Sequence, residues 1–69
     1  MLGQITRKIR TTLSHIPVTR YVWSDYDGEH KLSISIPENH DPEFEIYEKM
    51  TVEQFKERLG VYASEIKEM

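Results

Sequence analysis

The chain of 69 residues contains no cysteine, so disulfide staples and cysteine-based zinc sites are excluded. Its three glycines and three prolines are scattered, which leaves no low-complexity tract and no glycine-rich loop to cradle a phosphate. Mean hydropathy is −0.62, and no apolar run approaches the ~20 residues of a membrane-spanning helix. The first twenty residues lack any acid: Arg7, Lys8, Arg10 and Arg20 give them a charge of +4. All 12 acids lie in the rest, against Lys31, Lys49, Lys56, Arg58 and Lys67, a charge of −7 that brings the total to −3.

A chain this short forms one domain, residues 1–69, and buries only about 60% of its unfolded surface. Without staples it needs a very good core, a partner or self-association, and a homodimer is expected. The missing cysteines fit a reducing compartment, and a cytoplasmic location is expected. The basic start is acid-free and amphipathic, as in organellar transit peptides, but it lacks the apolar stretch of a secretory signal. It runs straight into a strand-like segment, so an ordinary first helix is the better reading.

The spacing of Leu2, Ile5, Ile9, Leu13 and Ile16 predicts that helix, ending near Ser14 or His15 because Pro17 biases its neighbour towards extended geometry. From Thr19 to Ile36 the sequence predicts a hairpin. Asp27-Gly28 suits a two-residue type I′ turn, and folding there pairs Trp23 with Leu32, Tyr21 with Ile34 and Thr19 with Ile36. That face is apolar. The other carries Arg20, Val22, Ser24 and Tyr26 against Glu29, Lys31, Ser33 and Ser35, and a slip of one residue would destroy the segregation. After the polar turn Pro37 to Pro42, the alternation of Phe44 and Ile46 with Glu43, Glu45 and Tyr47 predicts a third strand.

The last stretch, Thr51 to Met69, has Val52, Phe55, Leu59, Tyr62, Ile66 and Met69 at helical spacing. Thr51 and Gln54 form a capping-box signature. Gly60 leaves two readings open: one continuous helix, or a C′ glycine that splits the stretch in two. The expected architecture is α+β: helix, three-stranded antiparallel meander, helix (αβββα), with the helices on one face.

Catalysis has little support, since there is no cysteine nucleophile and Ser14-His15 are adjacent without a suggestive acid. An enzyme is not expected, nor is a cofactor. Asp25, Asp27, Gly28 and Glu29 resemble the start of a calcium loop, but position 12 would be Ile36 in place of a bidentate glutamate. His15, His30 and His40 stand alone, with no i, i+3 or i+4 pair for a metal. Tyr21, Val22, Trp23 and Tyr26 beside Arg20 and Lys31 suggest a base-stacking sheet, yet Tyr21 and Trp23 fall on the core side.

Phe55, Leu59, Gly60, Val61 and Ile66 resemble the pattern of helix-turn-helix repressors. Lys56 departs from it where a small residue is wanted, and the second helix would carry Glu65 and Glu68 against Lys67. Met50, Thr51, Val52, Phe55, Gly60, Ala63, Glu65 and Ile66, after the acidic turn Asp25-Tyr26-Asp27-Gly28, resemble part of the small phage-encoded uracil-DNA glycosylase inhibitors. That resemblance covers about a quarter of the chain. It implies an acidic, homodimeric DNA mimic, with Phe55 as the one residue carried over to a pocket. Lys56 departs from it too, standing where an acid is expected.

The function expected from the sequence is a small non-catalytic protein-binding regulator or inhibitor, of the size encoded by phages and mobile elements. Its acidic face would be Glu43, Glu45, Glu48, Glu53 and Glu57, and its partner another protein, including one that itself binds nucleic acid. The alternative is a nucleic-acid binder using Arg7, Lys8 and Arg10 on the basic first helix. That helix lacks the Trp or Phe anchor of a membrane-surface helix, so no membrane partner is expected.

Overall fold

The computed structural model describes residues 1–68; Met69, the end of the predicted C-terminal stripe, lies outside the described residues. The chain runs β1 (Leu2–Leu13), β2 (Ile16–Asp25), β3 (Lys31–Pro37), a 3-10 turn (Glu38–His40), β4 (Lys49–Thr51), α1 (Val52–Gly60) and β5 (Glu65–Glu68). The strands form one antiparallel sheet in the order β4-β1-β2-β3-β5. Among the described residues the fold is thus a mostly β arrangement with a single α-helix on one face, in place of the expected αβββα.

The predicted first helix is a strand. Ile5, Thr6, Ile9, Thr11 and Thr12 are β-branched and favour extended backbone. A bulge between Ile5 and Arg7 shifts the register, so Ile5 faces α1 while Ile9 faces away. An unbroken strand would put both on one side. The apolar residues of β1 are thus shared between its two faces, and their spacing of three and four does not show the alternation of a strand with one apolar face. At the far end Ser14 and His15, with φ of +49° and +69°, make a two-residue type I′ turn between the paired Leu13 and Ile16. This connection carries no Asn-Gly signature.

The second hairpin has the expected register, with Trp23 opposite Leu32, Tyr21 opposite Ile34 and Thr19 opposite Ile36. Its turn is longer than the expected type I′ pair. Asp25 and His30 close a four-residue loop through Asp25 N–H to His30 O at 3.1 Å, and among its residues Gly28 alone has positive φ, +74°. The Asp25 Oδ1 accepts from the N–H groups of Glu29 and His30 at 3.0 and 3.3 Å.

The predicted third strand does not form. Glu43 and Tyr47 both have φ of +65°, which breaks extension at either end of the segment. Phe44 instead sits edge-on to Tyr21, ring centroids 5.5 Å apart. A small latch holds it there. The Tyr21 hydroxyl donates to Asp41 Oδ1 at 2.6 Å and accepts from Phe44 N–H at 3.1 Å.

The helix begins where the sequence indicates. Thr51 Oγ1 accepts from Gln54 N–H at 3.1 Å, and Gln54 Oε1 accepts from Thr51 N–H at 2.9 Å. Val52, Phe55 and Leu59 are buried against Ile5, Tyr21, Trp23, Leu32, Ile34, Ile36 and Met50. Each full burial of such a side chain is worth roughly 1.5–3 kcal/mol. The helix stops at Gly60, but Gly60 does not take the left-handed C′ conformation. The last turn tightens through Tyr62 N–H to Leu59 O (3.1 Å) and Ala63 N–H to Gly60 O (3.2 Å), and Ser64 N–H then reaches Ser35 O at 2.8 Å. From there Glu65–Glu68 pairs with β3. Neither the continuous helix nor a second helix after Gly60 forms, because the outer edge of β3 offers backbone partners that a free helix end lacks. Tyr62 and Ile66 accordingly leave the core and are 41% and 53% exposed. With residues 65–68 in a strand, the helix-turn-helix reading is overturned.

Candidate functional site: the open face of the sheet

The helix covers one face of the sheet; the other is open, and its composition follows from the registers. Because neighbouring strands align residue to residue, side chains on this face fall into rows running across the strands. One row is Lys49, Gln4, Ser24 and Lys31; the next is Arg7, Val22, Ser33 and Lys67; the third is Ile9, Arg20, Ser35 and Glu65. The centre of the first two rows is therefore a floor of short or uncharged side chains, with a cation at each end. The two cations of each row are three strand spacings apart, roughly 14 Å between backbones.

Among the strand residues that make this face, five are bases and one, Glu65, is an acid. The face carries +4 and the rest of the molecule −7. Arg7, Lys31, Lys49 and Lys67 are exposed and Arg20 is half-buried. Among the described residues none of the five lies within 4.0 Å of a carboxylate. The Arg20 Nε is buried and without a hydrogen-bond partner among those residues. Ser24, Ser33 and Ser35 are packed low between the longer side chains, at 7%, 4% and 1% exposure. The strand residues of this face include no aromatic side chain.

The three bases expected on one helical face are divided by the strand. Arg7 joins the open face, opposite Val22, whereas Lys8 and Arg10 point to the helix side. Lys8 Nζ lies 5.7 Å from the centre of the Tyr21 ring, and Arg10 Nη2 lies 3.9 Å from Glu43 Oε1. Burial raises the pKa of the Tyr21 hydroxyl well above the ordinary tyrosine value, and its hydrogen bond to Asp41 adds to the shift.

The five glutamates expected to form an acidic face sit on two elements, and three of them meet cations of their own chain. Glu43 faces Arg10, Glu53 Oε1 lies 3.9 Å from the Met1 amino group, and Glu48 Oε2 lies 3.0 Å from Arg58 Nη1. In that last pair the N–H does not aim at the oxygen, so it is a charge contact more than an aligned hydrogen bond. Glu45 and Glu57 are exposed, the first in the loop before β4 and the second on α1.

Arg20 and Lys31 were visible in the sequence on the polar face of the hairpin. Lys49 and Lys67 were not, because they belong to strands that only the folded sheet creates. Among the described residues no group of three His, Asp or Glu side chains is placed to hold a metal, and no helix is long and apolar enough to cross a membrane. Comparison with protein families, curated proteins and solved structures finds no match to this chain.

Proposed function

We propose that this chain is a non-catalytic binding protein that holds a nucleic-acid phosphate backbone on the open face of its sheet. The observation that supports it is the set of five cations around an uncharged floor, none in an ion pair among the described residues. Lys and Arg brought against phosphates release condensed counterions, and this supplies most of sequence-independent affinity. The serine hydroxyls and Gln4 add donors of the kind that position a backbone. With no aromatic among the strand residues of the face there is no stacking platform on the sheet itself, so binding there is electrostatic and tolerant of sequence. The acidic remainder repels the same ligand and restricts it to this side.

The test is anisotropy of a labelled oligonucleotide titrated at stepped salt concentrations. Five phosphate contacts predict a log–log slope of about −3.5 for a single strand, at roughly 0.7 per contact. Reversing Arg7→Glu, Lys31→Glu and Lys67→Glu together leaves two contacts and a slope of about −1.4, whereas Lys56→Glu on α1 leaves it unchanged. A folded triple variant with the parent's slope would sink the reading.

A second reading keeps the protein-binding regulator and its acidic surface, and the −7 charge outside the sheet face supports it. A basic partner protein captured in the presence of nuclease, and lost on reversing Glu45 and Glu57, is its expected result.

A further inference from the structure

We propose that the free edge of β1, Thr6 to Leu13, accepts an additional β-strand from an acidic, extended segment of a partner protein. This surface is distinct from the open face, with Arg7 the one cation common to both.

β1 has neighbours on both sides only at its start. β4 covers Leu2 to Gln4. The chain before β4 closes on Ile5, with Ile5 N–H donating to Glu48 O at 3.1 Å and Tyr47 N–H donating to Ile5 O. Among the described residues, β2 is the strand's one partner from Thr6 onwards. Alternate residues of an antiparallel strand turn their N–H and C=O groups outwards, so this eight-residue stretch presents an unpaired ladder. Such a ladder is the feature that strand-adding recognition uses.

A groove of about 480 Å³ lies beside this edge, bounded by Thr6, Arg7, Lys8 and Ile9 on the strand and by Phe44, Glu45 and Ile46 across from it. An incoming strand would enter this groove beside Thr6–Ile9 and continue along Arg10–Leu13, with Ile46, which is 44% exposed, across the groove from it.

The charges choose the occupant. A strand added here would have Arg7 beside it on the open-face side and Lys8 and Arg10 on the helix side. Acids placed opposite them gain from cross-strand pairing, and bases lose. A second copy of β1 laid antiparallel would bring two sets of these cations together. The bulge at Thr6 and the charged edge thus guard against self-pairing while leaving the edge attractive to carboxylates. Glu43 shows that the edge tolerates one, since it reaches Arg10 at 3.9 Å from the neighbouring loop.

The experiment is amide hydrogen exchange by NMR on the full chain, with capped eight-residue peptides of alternating Glu and Val or alternating Lys and Val. The Glu–Val peptide is expected to slow exchange at alternate amides of Thr6–Leu13 at least tenfold, and the Lys–Val peptide to leave them unchanged. A folded chain carrying Lys8→Glu and Arg10→Glu should reverse that preference. Several outcomes would overturn the proposal: no slowing at this edge, slowing confined to β4 or β5, equal slowing by both peptides, or slowing produced by raising the protein concentration alone. An oligonucleotide that protects this edge as well as the peptide does would overturn it too, assigning the cations of β1 to phosphate.

Discussion

Replacing Gly3 with alanine tests the packing at the centre of the molecule. A Cβ at Gly3 would lie 2.3 Å from the Ser24 carbonyl oxygen, 2.5 Å from Trp23 Cζ2 and 2.7 Å from Trp23 Cε2. None of these atoms has room to retreat. The carbonyl belongs to the backbone of the adjacent strand, paired to β1 on one side and β3 on the other. The indole is completely buried, and its Nε1–H donates to Met50 O at 3.0 Å. Overpacking by one methyl group costs typically 1–3 kcal/mol; with a backbone oxygen as the nearest atom, the expectation is about 3 kcal/mol. A domain of this size has roughly 3–10 kcal/mol in hand, so Gly3→Ala should lower Tm by about 12–24 °C. Urea and thermal unfolding followed by the fluorescence of Trp23, the chain's one tryptophan, measure the change. Gly60→Ala is the internal control. There the nearest atom is Ile66 Cδ1 at 3.9 Å and φ is not positive, so the same substitution should stabilise by about 0.5–1 kcal/mol. If Gly3→Ala stays within about 0.5 kcal/mol of the parent, the indole does not rest on Gly3 and the account of the core fails.

Three further outcomes follow from local features. Tyr21 keeps its proton in the folded state at pH values where the unfolded chain, with a reference value of 10.0, releases it. Its contribution is therefore complete below pH 10 and is lost as pH rises through the higher folded value. Tyr21→Phe should cost about 1–2 kcal/mol at neutral pH and show a shallower loss of stability than the parent above pH 10, read by urea midpoints. Ser14→Asn with His15→Gly places turn-favouring residues at two left-handed positions and should stabilise by about 1 kcal/mol; an unchanged or lower midpoint would contradict the type I′ geometry. Thr51→Ala removes the cap of α1 and should cost about 1 kcal/mol, seen as a lower midpoint with the far-UV spectrum retained.

What could be read from the sequence was what depends on near neighbours. The pairing of Trp23 with Leu32 and of Tyr21 with Ile34 follows from a period of two on both strands. The Thr51–Gln54 cap spans four residues and needs nothing else. β1 was misread because its apolar residues lie on both faces of the strand, Ile5 towards α1 and Ile9 away from it across the bulge at Thr6, so they stand three and four apart without a period of two. Glu45 and Phe44 alternate as a strand does, but left-handed backbone at Glu43 and Tyr47 bends the segment into a plug over Tyr21. The stretch Glu65–Glu68 continues the helical spacing before it, and only the vacant edge of β3 makes it a strand. The open face was half legible for the same reason. Arg20 and Lys31 came with the hairpin, whereas Lys49 and Lys67 are brought to it by pairings between residues far apart in sequence.

β5 is four residues long and buries little of its own: Ile66, Lys67 and Glu68 are all exposed. Releasing it from β3 sacrifices a few backbone hydrogen bonds and scarcely any apolar contact, so it belongs to the low-cost end of the molecule's local openings. Each opening carries Lys67 away from the row it shares with Arg7. By reciprocity, an anion gripped at both ends of that row must hold β5 closed, and must bind more weakly to any variant in which β5 is frayed. The population of closed β5 and the affinity of the open face for such an anion would then be two readings of one equilibrium.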